Sequence, residues 1–326
     1  MIDLLAFGII LDDIETPDRS VHRGLLGGGG PQTAVGMRLP FIAGFSDAHY
    51  SVGIVSGVGP DFPERDRAWL AALGVDMQGL VTAPLPTARA LQSLQPDGSR
   101  SQVFLVGNSV IREHLARSID RLPLSYRNPL GIHVGIHPDD PDLSFLRDLA
   151  RFKGETRENR IPPGITYLQI PVVSVEPFRP AGHRPSDAAL RALCSACDIF
   201  SPNTAEARSL VGDADPAELA RRLLDAGASI VALRMGAEGS LLSAARPDLA
   251  RLIHVPAVQS RVVDPTGAGN AYCGALLAGL LATGDLRTGA EYGAVAASFL
   301  VAQVGLPDLN DRLADEALRR LEALRR

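Results

Sequence analysis

Short apolar runs alternate with mixed, helix-spaced segments along most of this chain, and that rhythm predicts its elements. Leu4 to Leu11 is apolar, short and followed by acids, which reads as a buried first strand. Ile14 to Leu26 is mixed and turn-rich, and Gly27 to Gly30 then leads into a helix expected through Leu39. An irregular surface loop is expected from Phe41 to Tyr50, a strand over Val52 to Gly57, and a helix over Arg65 to Leu73. Thr87 to Gln95 and Ser101 to Val106 alternate apolar and polar residues on either side of Pro96-Asp97-Gly98-Ser99, which predicts an antiparallel hairpin.

Beyond the hairpin, strands are predicted at Gly131 to Ile136, Thr166 to Val173, Asp198 to Ser201 and Ser229 to Leu233. Helices are predicted at Asp142 to Phe152, Ser186 to Cys197 and Pro216 to Gly227. Such alternation argues for a parallel sheet covered on both faces, with the early hairpin standing apart as a small β flap. Lys153 to Pro163 reads as a solvated loop, Ala271 to Ala282 as an apolar helix, and the stretch from Asp311 as a surface helix. The whole, residues 1–326, is expected to be one α/β domain with no internal repeat.

Composition narrows the partners. A chain of 326 residues with 46% hydrophobic content can bury a large core. Its net charge of −5 comes without a long block of one sign, which disfavours nucleic acid or an anionic membrane as partner. No apolar run reaches the roughly 18 residues of a membrane span. Met1 to Phe7 carries an acid where a signal peptide is basic, so a cytoplasmic protein is expected. Lys153 is the sole lysine and no G-x-x-x-x-G-K-[ST] occurs, which excludes a P-loop. Cys194 and Cys197 form a C-x-x-C without a second pair, and read as two thiols on a helix rather than a zinc or redox site.

The most informative run is Val262-Val263-Asp264-Pro265-Thr266-Gly267-Ala268-Gly269-Asn270, ahead of the apolar helix. A strand-like end, a Gly-rich turn and a helix start form an anion cradle, with backbone N–H groups and the helix dipole aimed at one spot. Its late position argues against a dinucleotide fingerprint, whose glycines follow the first strand; Gly27 to Gly30 lie too far past that strand to serve.

This run resembles the D-T-x-G-A-G-D signature of the ribokinase/PfkB family of small-molecule kinases, and other segments resemble that family in its own order. Asn203-Thr204-Ala205-Glu206 is similar to its N-x-x-E motif, and Arg234-Met235-Gly236-Ala237-Glu238-Gly239 to its G-x-x-G turn. Gly8 followed five residues later by Asp13 resembles its first strand, and Gly27 to Gly30 its G-G motif, with Pro31, Gln32 and Thr33 where an Asn commonly follows. Gly59-Pro60-Asp61-Phe62-Pro63, Val295 to Phe299 and Val304 to Pro307 resemble a subgroup related to the fungal maintenance-of-killer proteins.

The resemblance implies a ribokinase-like three-layer fold: a central, mostly parallel sheet and a small β lid from about residues 14–26 and 84–108. It implies ATP as phosphoryl donor with Mg²⁺, phosphate stabilisation by Gly267, Ala268 and Gly269, and the acceptor against Asn270. Asp13, Gly29 and Gly30 fall on the substrate side; Asn203, Glu206, Arg234, Gly236 and Gly239 near the nucleotide. Asn203 and Glu206 are expected to reach Mg²⁺ through water, and Asp264 to belong to a monovalent-cation (K⁺) site. A homodimer through the lid is a further implication.

Asn270 departs from the family, whose Asp at this place is the catalytic base. Loss of a general base costs roughly 10² to 10⁴ in rate, and phosphoryl transfer is mostly positioning and electrostatics. Three readings stay open on sequence: a working kinase, one whose acceptor is already ionised or whose base is a group such as Asp264; a nucleotide-binding pseudokinase; and a binding module that kept only the fold. Cys273, one helical turn on, reads as packing.

Overall fold

The computed structural model describes residues 1–95, 100–150, 168, 170–245, 252–308 and 310–326. The chain opens with β1 (Leu4–Phe7), β2 (Ile10–Glu15) and β3 (Val21–Gly27), then α1 (Gly29–Ile42), β4 (Val52–Val58), α2 (Glu64–Ala72), β5 (Val75–Thr82), β6 (Arg89–Leu94), β7 (Arg100–Phe104) and α3 (Asn108–Leu115). There follow β8 (Gly131–Ile136), α4 (Leu143–Ala150), β9 (Val172–Pro177), α5 (Asp187–Cys194), β10 (Ile199–Phe200), α6 (Thr204–Val211) and α7 (Pro216–Asp225). The chain ends with β11 (Ile230–Arg234), β12 (Ser240–Ala244), β13 (Ile253–Val255), α8 (Ala268–Thr283), α9 (Leu286–Leu300) and α10 (Asp311–Leu324).

Nine strands form one sheet in the order β13-β12-β11-β10-β9-β8-β1-β4-β5. Its pairings are parallel except for β11–β12 and β12–β13 at one edge. A separate four-stranded sheet runs β3-β2-β6-β7, with β6 and β7 as the antiparallel hairpin that the alternation predicts. This small sheet draws on both segments from which the sequence predicts a lid.

The expected single strand from Leu4 to Leu11 is instead two strands in two sheets. Gly8 breaks it at φ 89°, a left-handed conformation that lets the chain leave the large sheet and enter the small one. Both halves are buried, so hydropathy alone gives no sign of the break. The hairpin turn 96–99 and the predicted loop 153–163 lie outside the described residues, as does the start of the strand expected at 166–173; β9 begins at Val172.

α1, α8 and α9 pack on one face of the large sheet, and α4, α5 and α7 on the other. α8 is apolar all round and buried along most of its length, as a helix inside a core must be. It meets α1 backbone to backbone: a Cβ on Gly36 would lie 2.0 Å from the Ala271 carbonyl oxygen, and one on Gly274 2.2 Å from that of Thr33. No described helix is long and apolar enough to cross a membrane.

Candidate functional site

The buried helix α8 presents its N-terminus at the carboxyl end of the parallel strands, where open α/β sheets bind ligands. Gly267 caps it in the left-handed conformation, φ 81°. Asp264, itself buried, shapes the turn by accepting from the Thr266 amide at 2.8 Å. Among the described residues the amides of Gly269 and Asn270 have no hydrogen-bond partner, as expected for donors in the first turn of a helix. These are the donors an anion would take.

Beside this turn opens a cavity of about 450 Å³, with Asn270, Thr266, Gln32, Gly28, Gly29 and Asp12 among its walls. Asn270 Nδ2 donates to Gln32 Oε1 at 3.0 Å. Its Oδ1 lies against Gly29, where a Cβ would come within 3.2 Å of it. Gly30 does not line the cavity; its amide donates to the Gly8 carbonyl at 2.8 Å and ties α1 to the junction between the sheets.

Of the two neighbouring acids on β2, Asp12 lines the cavity and Asp13 does not. Neighbours on a strand point to opposite faces. Asp13 turns toward β3, where it accepts from the Gly24 amide at 2.8 Å and pairs with Arg23 at 3.4 Å. Asp12 is buried, accepts from Gln92 Nε2 at 2.9 Å, and packs against Gly27, where a Cβ would lie 2.0 Å from its Oδ2. Burial pushes its carboxyl up to about 6, against the pull of Gln92, Arg100 and Gly28.

That shift has a sign for stability. The folded protein keeps a proton that the unfolded chain has given up between about pH 4 and 6, so Asp12 lowers stability as pH rises through that window, with no further loss above about pH 7. The difference is about 3 kcal/mol. Asp12→Asn is therefore expected to raise the thermal midpoint at pH 8 by about 4 °C and to leave it unchanged at pH 4, read by calorimetry.

The expected nucleotide-side residues gather beneath the turn rather than on the cavity wall. Asn203 and Glu206 form a capping box at the start of α6: Asn203 Oδ1 accepts from the Glu206 amide at 2.9 Å, and Glu206 accepts from the Asn203 amide at 2.7 Å. Glu206 also accepts from Asn203 Nδ2 at 2.7 Å and from Arg234 at 3.2 Å. A carboxylate has about four acceptor positions, so one remains. That fits a water-mediated contact with a cation and does not fit direct ligation beside a guanidinium. Burial, with the Glu176 charge adding, pushes Glu206 up to about 7 despite Arg234.

Arg234 is the hub. It donates to the Ser201 carbonyl through Nε at 3.2 Å and Nη2 at 2.8 Å, and pairs with Glu176 at 2.9 Å. Burial alone would raise the Glu176 carboxyl, but the adjacent Arg234 cation reverses this and holds it below its ordinary value. His133, Glu176 and Cys273 place possible ligand atoms within 4.8 Å of one another. With Arg234 already neutralising Glu176, and burial pushing the Cys273 thiol up, these three read as a cradle for the arginine. Nη1 of Arg234 lies directly under Gly269, where a Cβ would approach it to 1.7 Å. Gly236 and Gly239 bound one 3₁₀ turn at positive φ just after β11, closed by the Met235 amide donating to the Gly239 carbonyl at 2.7 Å.

Beside Asp264 and Thr266 lies a second, small cavity of about 10 Å³ shared with Asp12, Gln32 and Gly305. Thr266 Oγ1 is buried there with no partner among the described residues. An unpartnered hydroxyl, a buried carboxylate and space for one small particle fit a monovalent cation or a water. Of the functional residues, sequence reasoning missed Asp12, Glu176 and His133. Glu176 and His133 had a signal: each is the lone ionisable residue inside an apolar strand, which demands a buried partner.

This arrangement has counterparts among known proteins. Residues 174–311 match the model of the pfkB family carbohydrate kinases. An uncharacterized protein of Schizosaccharomyces pombe is 28% identical over 91% of this chain and 83% of its own. A cytidine kinase of Thermococcus kodakarensis is 27% identical over 86% of this chain and 88% of its own. The crystal structure of a fructokinase from Vibrio cholerae O395 superposes with a TM-score of 0.72 at 19% identity, covering 99% of both chains. The second half of the chain is thus similar to that family's model, and the fold is ribokinase-like.

Proposed function

We propose that this protein transfers the γ-phosphoryl group of ATP to a hydroxyl of a small polar metabolite of the sugar or nucleoside class. The observation that carries the reading is the pair of unpartnered amides at Gly269 and Asn270, opening beside a cavity whose other wall holds Asp12 and Gly28–Gly29. Donors fixed by a buried helix cost no reorganisation when charge develops on the transferring group. Glu206 would meet, through water, a Mg²⁺ ion bound with the nucleotide, which would supply charge neutralisation. Arg234, clamped below Gly269, adds positive potential to the turn without touching solvent freely. The acceptor would lie between Asn270 and Asp12, and Asp264 with Thr266 would hold a monovalent cation beside the turn. The relatives support the class: one is named a cytidine kinase, and the fructokinase structure holds fructose and ADP.

A pseudokinase is the second reading, favoured by the amide at Asn270, which cannot take a proton. Turnover of ATP by the wild type and by Asn270→Asp, with cytidine, ribose and fructose as acceptors, separates the two. A kinase turns over with at least one acceptor, and Asn270→Asp stays within about tenfold of it, because the proton has another destination. A wild type that binds ATP, transfers to nothing, and gains activity as Asn270→Asp is a pseudokinase.

A further inference from the structure

Resting on the kinase reading, we propose that the acceptor already carries a phosphate group, held on another wall of the cavity by Arg117 and Arg112, so that the substrate is a phosphorylated metabolite. What carries this is a set of guanidiniums for which the protein supplies no counter-ion. Arg100 of β7, Arg112 of α3 and Arg117 just beyond it line the cavity that Asn270 lines. They belong to one stretch, residues 100–117, that takes the chain from the small sheet toward β8. None of the three forms an ion pair among the described residues, and Arg100 and Arg112 are exposed. Arg117 is half-buried and anchored at the carboxyl end of the large sheet, its Nη2 donating to the Gly135 carbonyl of β8 at 2.6 Å. A guanidinium has five donors in a planar fork, so most of the Arg117 fork is left for a ligand. Burial draws it down to about 10, with Asp142 opposing, and it stays charged at neutral pH. A charge withdrawn from water calls for a partner, and the cavity is where that partner has room.

Three acids line the same cavity and are otherwise engaged or exposed. Asp142, at the start of α4, accepts on Oδ1 from the Ser144 hydroxyl at 2.8 Å and the Phe145 amide at 3.1 Å. Asp12, on the small sheet, accepts from Gln92 at 2.9 Å, and Asp140 is exposed. Opposite charges are thus laid out along the walls without being joined, which leaves the guanidiniums available. A phosphomonoester brings a charge of about −1.5 to −2 and three acceptor oxygens, enough for two guanidiniums and matched to their forked geometry. A carboxylate offers two oxygens and a single charge, and a neutral sugar leaves Arg117 unpaired. Transfer takes place at a hydroxyl of the docked molecule. Its oxygen bonds the γ-phosphorus as the bond from that phosphorus to the β–γ bridging oxygen breaks. The electron pair leaves with ADP and the hydroxyl proton passes to water, so the product carries two phosphate groups.

The test uses the intact chain with Mg-ATP and matched acceptors: ribose, fructose and cytidine against ribose 5-phosphate, fructose 6-phosphate and cytidine monophosphate, with gluconate as a carboxylate. At least one ester is expected to exceed its neutral counterpart about tenfold or more in kcat/KM. Arg117→Gln should raise the KM for that ester roughly 10- to 100-fold, with kcat for the neutral counterpart within about twofold. Arg117→Lys keeps the charge without the fork and should recover only part of that loss. Arg112→Gln, at an exposed position where folding is not at stake, should raise the same KM about threefold or more. A purely structural role for Arg117 lowers activity with both members of a pair alike. Calorimetric titration with the same esters, without ATP, reads the dock independently of turnover. The proposal falls if no ester exceeds its neutral counterpart, if gluconate exceeds every ester, or if Arg117→Gln affects both members of a pair equally. A wild type that binds an ester through Arg117 yet transfers to no acceptor overturns the kinase reading and leaves the dock standing. One that phosphorylates a neutral acceptor and binds no ester overturns the dock and leaves the kinase reading.

Discussion

Glu176→Ala is expected to destabilise the protein by about 3–5 kcal/mol, a fall in thermal midpoint on the order of 5 °C. The reason is what remains after the carboxylate is gone. Arg234 stays buried against the Ser201 carbonyl, now opposed only by Glu206, whose carboxyl burial already pushes up to about 7. Removing one member of a buried ion pair leaves its partner's desolvation uncompensated, and that cost exceeds the net worth of the pair. Glu176→Gln with Arg234→Met takes away both charges, and calorimetry should find most of the loss restored. A change below about 1 kcal/mol for Glu176→Ala would mean that Glu206 alone satisfies the guanidinium.

Gly269→Ala is expected to cut turnover sharply. Its Cβ would stand 1.7 Å from Arg234 Nη1 and 3.2 Å from Glu176 Oε2, and Arg234 is held by four interactions that resist displacement. Either the guanidinium leaves its cradle or the first turn of α8 lifts, and the free amides lose their aim. Loss of one such donor costs roughly 10² to 10³ in turnover. The expected result is that loss together with weakened ATP binding by calorimetric titration. Near-normal turnover would show that the turn is not where phosphate binds.

Much of the fold was legible because its signals are local. Apolar strands separated by helices announce a parallel sheet, and the Gly-Ala-Gly turn ahead of an apolar helix announces an anion site. What escaped depends on direction and on distance. Asp12 and Asp13 are indistinguishable by spacing, and only the pleat of β2 decides which one meets the cavity. Glu176 is 58 residues from Arg234 in sequence, so its role emerges only when β9 and β11 flank β10 in the sheet. α9 buries twelve of its fifteen residues, Glu291 and Ser298 among them, so no clean polar face marks it in the sequence. The capping box at Asn203 and Glu206 was visible as a motif, but its third partner, Arg234, was not.

The glycine contacts between α1 and α8 have a mechanical consequence. With Gly36 and Gly274 bringing two backbones together, Gln32 and Asn270 ride on one stiff double beam. Asp12 belongs to a different body, the four-stranded sheet joined to that beam through Gly8 and Gly28, both at positive φ. Gly8 and Gly28 are thus where the carboxylate of Asp12 and the amide of Asn270 are joined, and a side chain at either would strain the link between the two bodies.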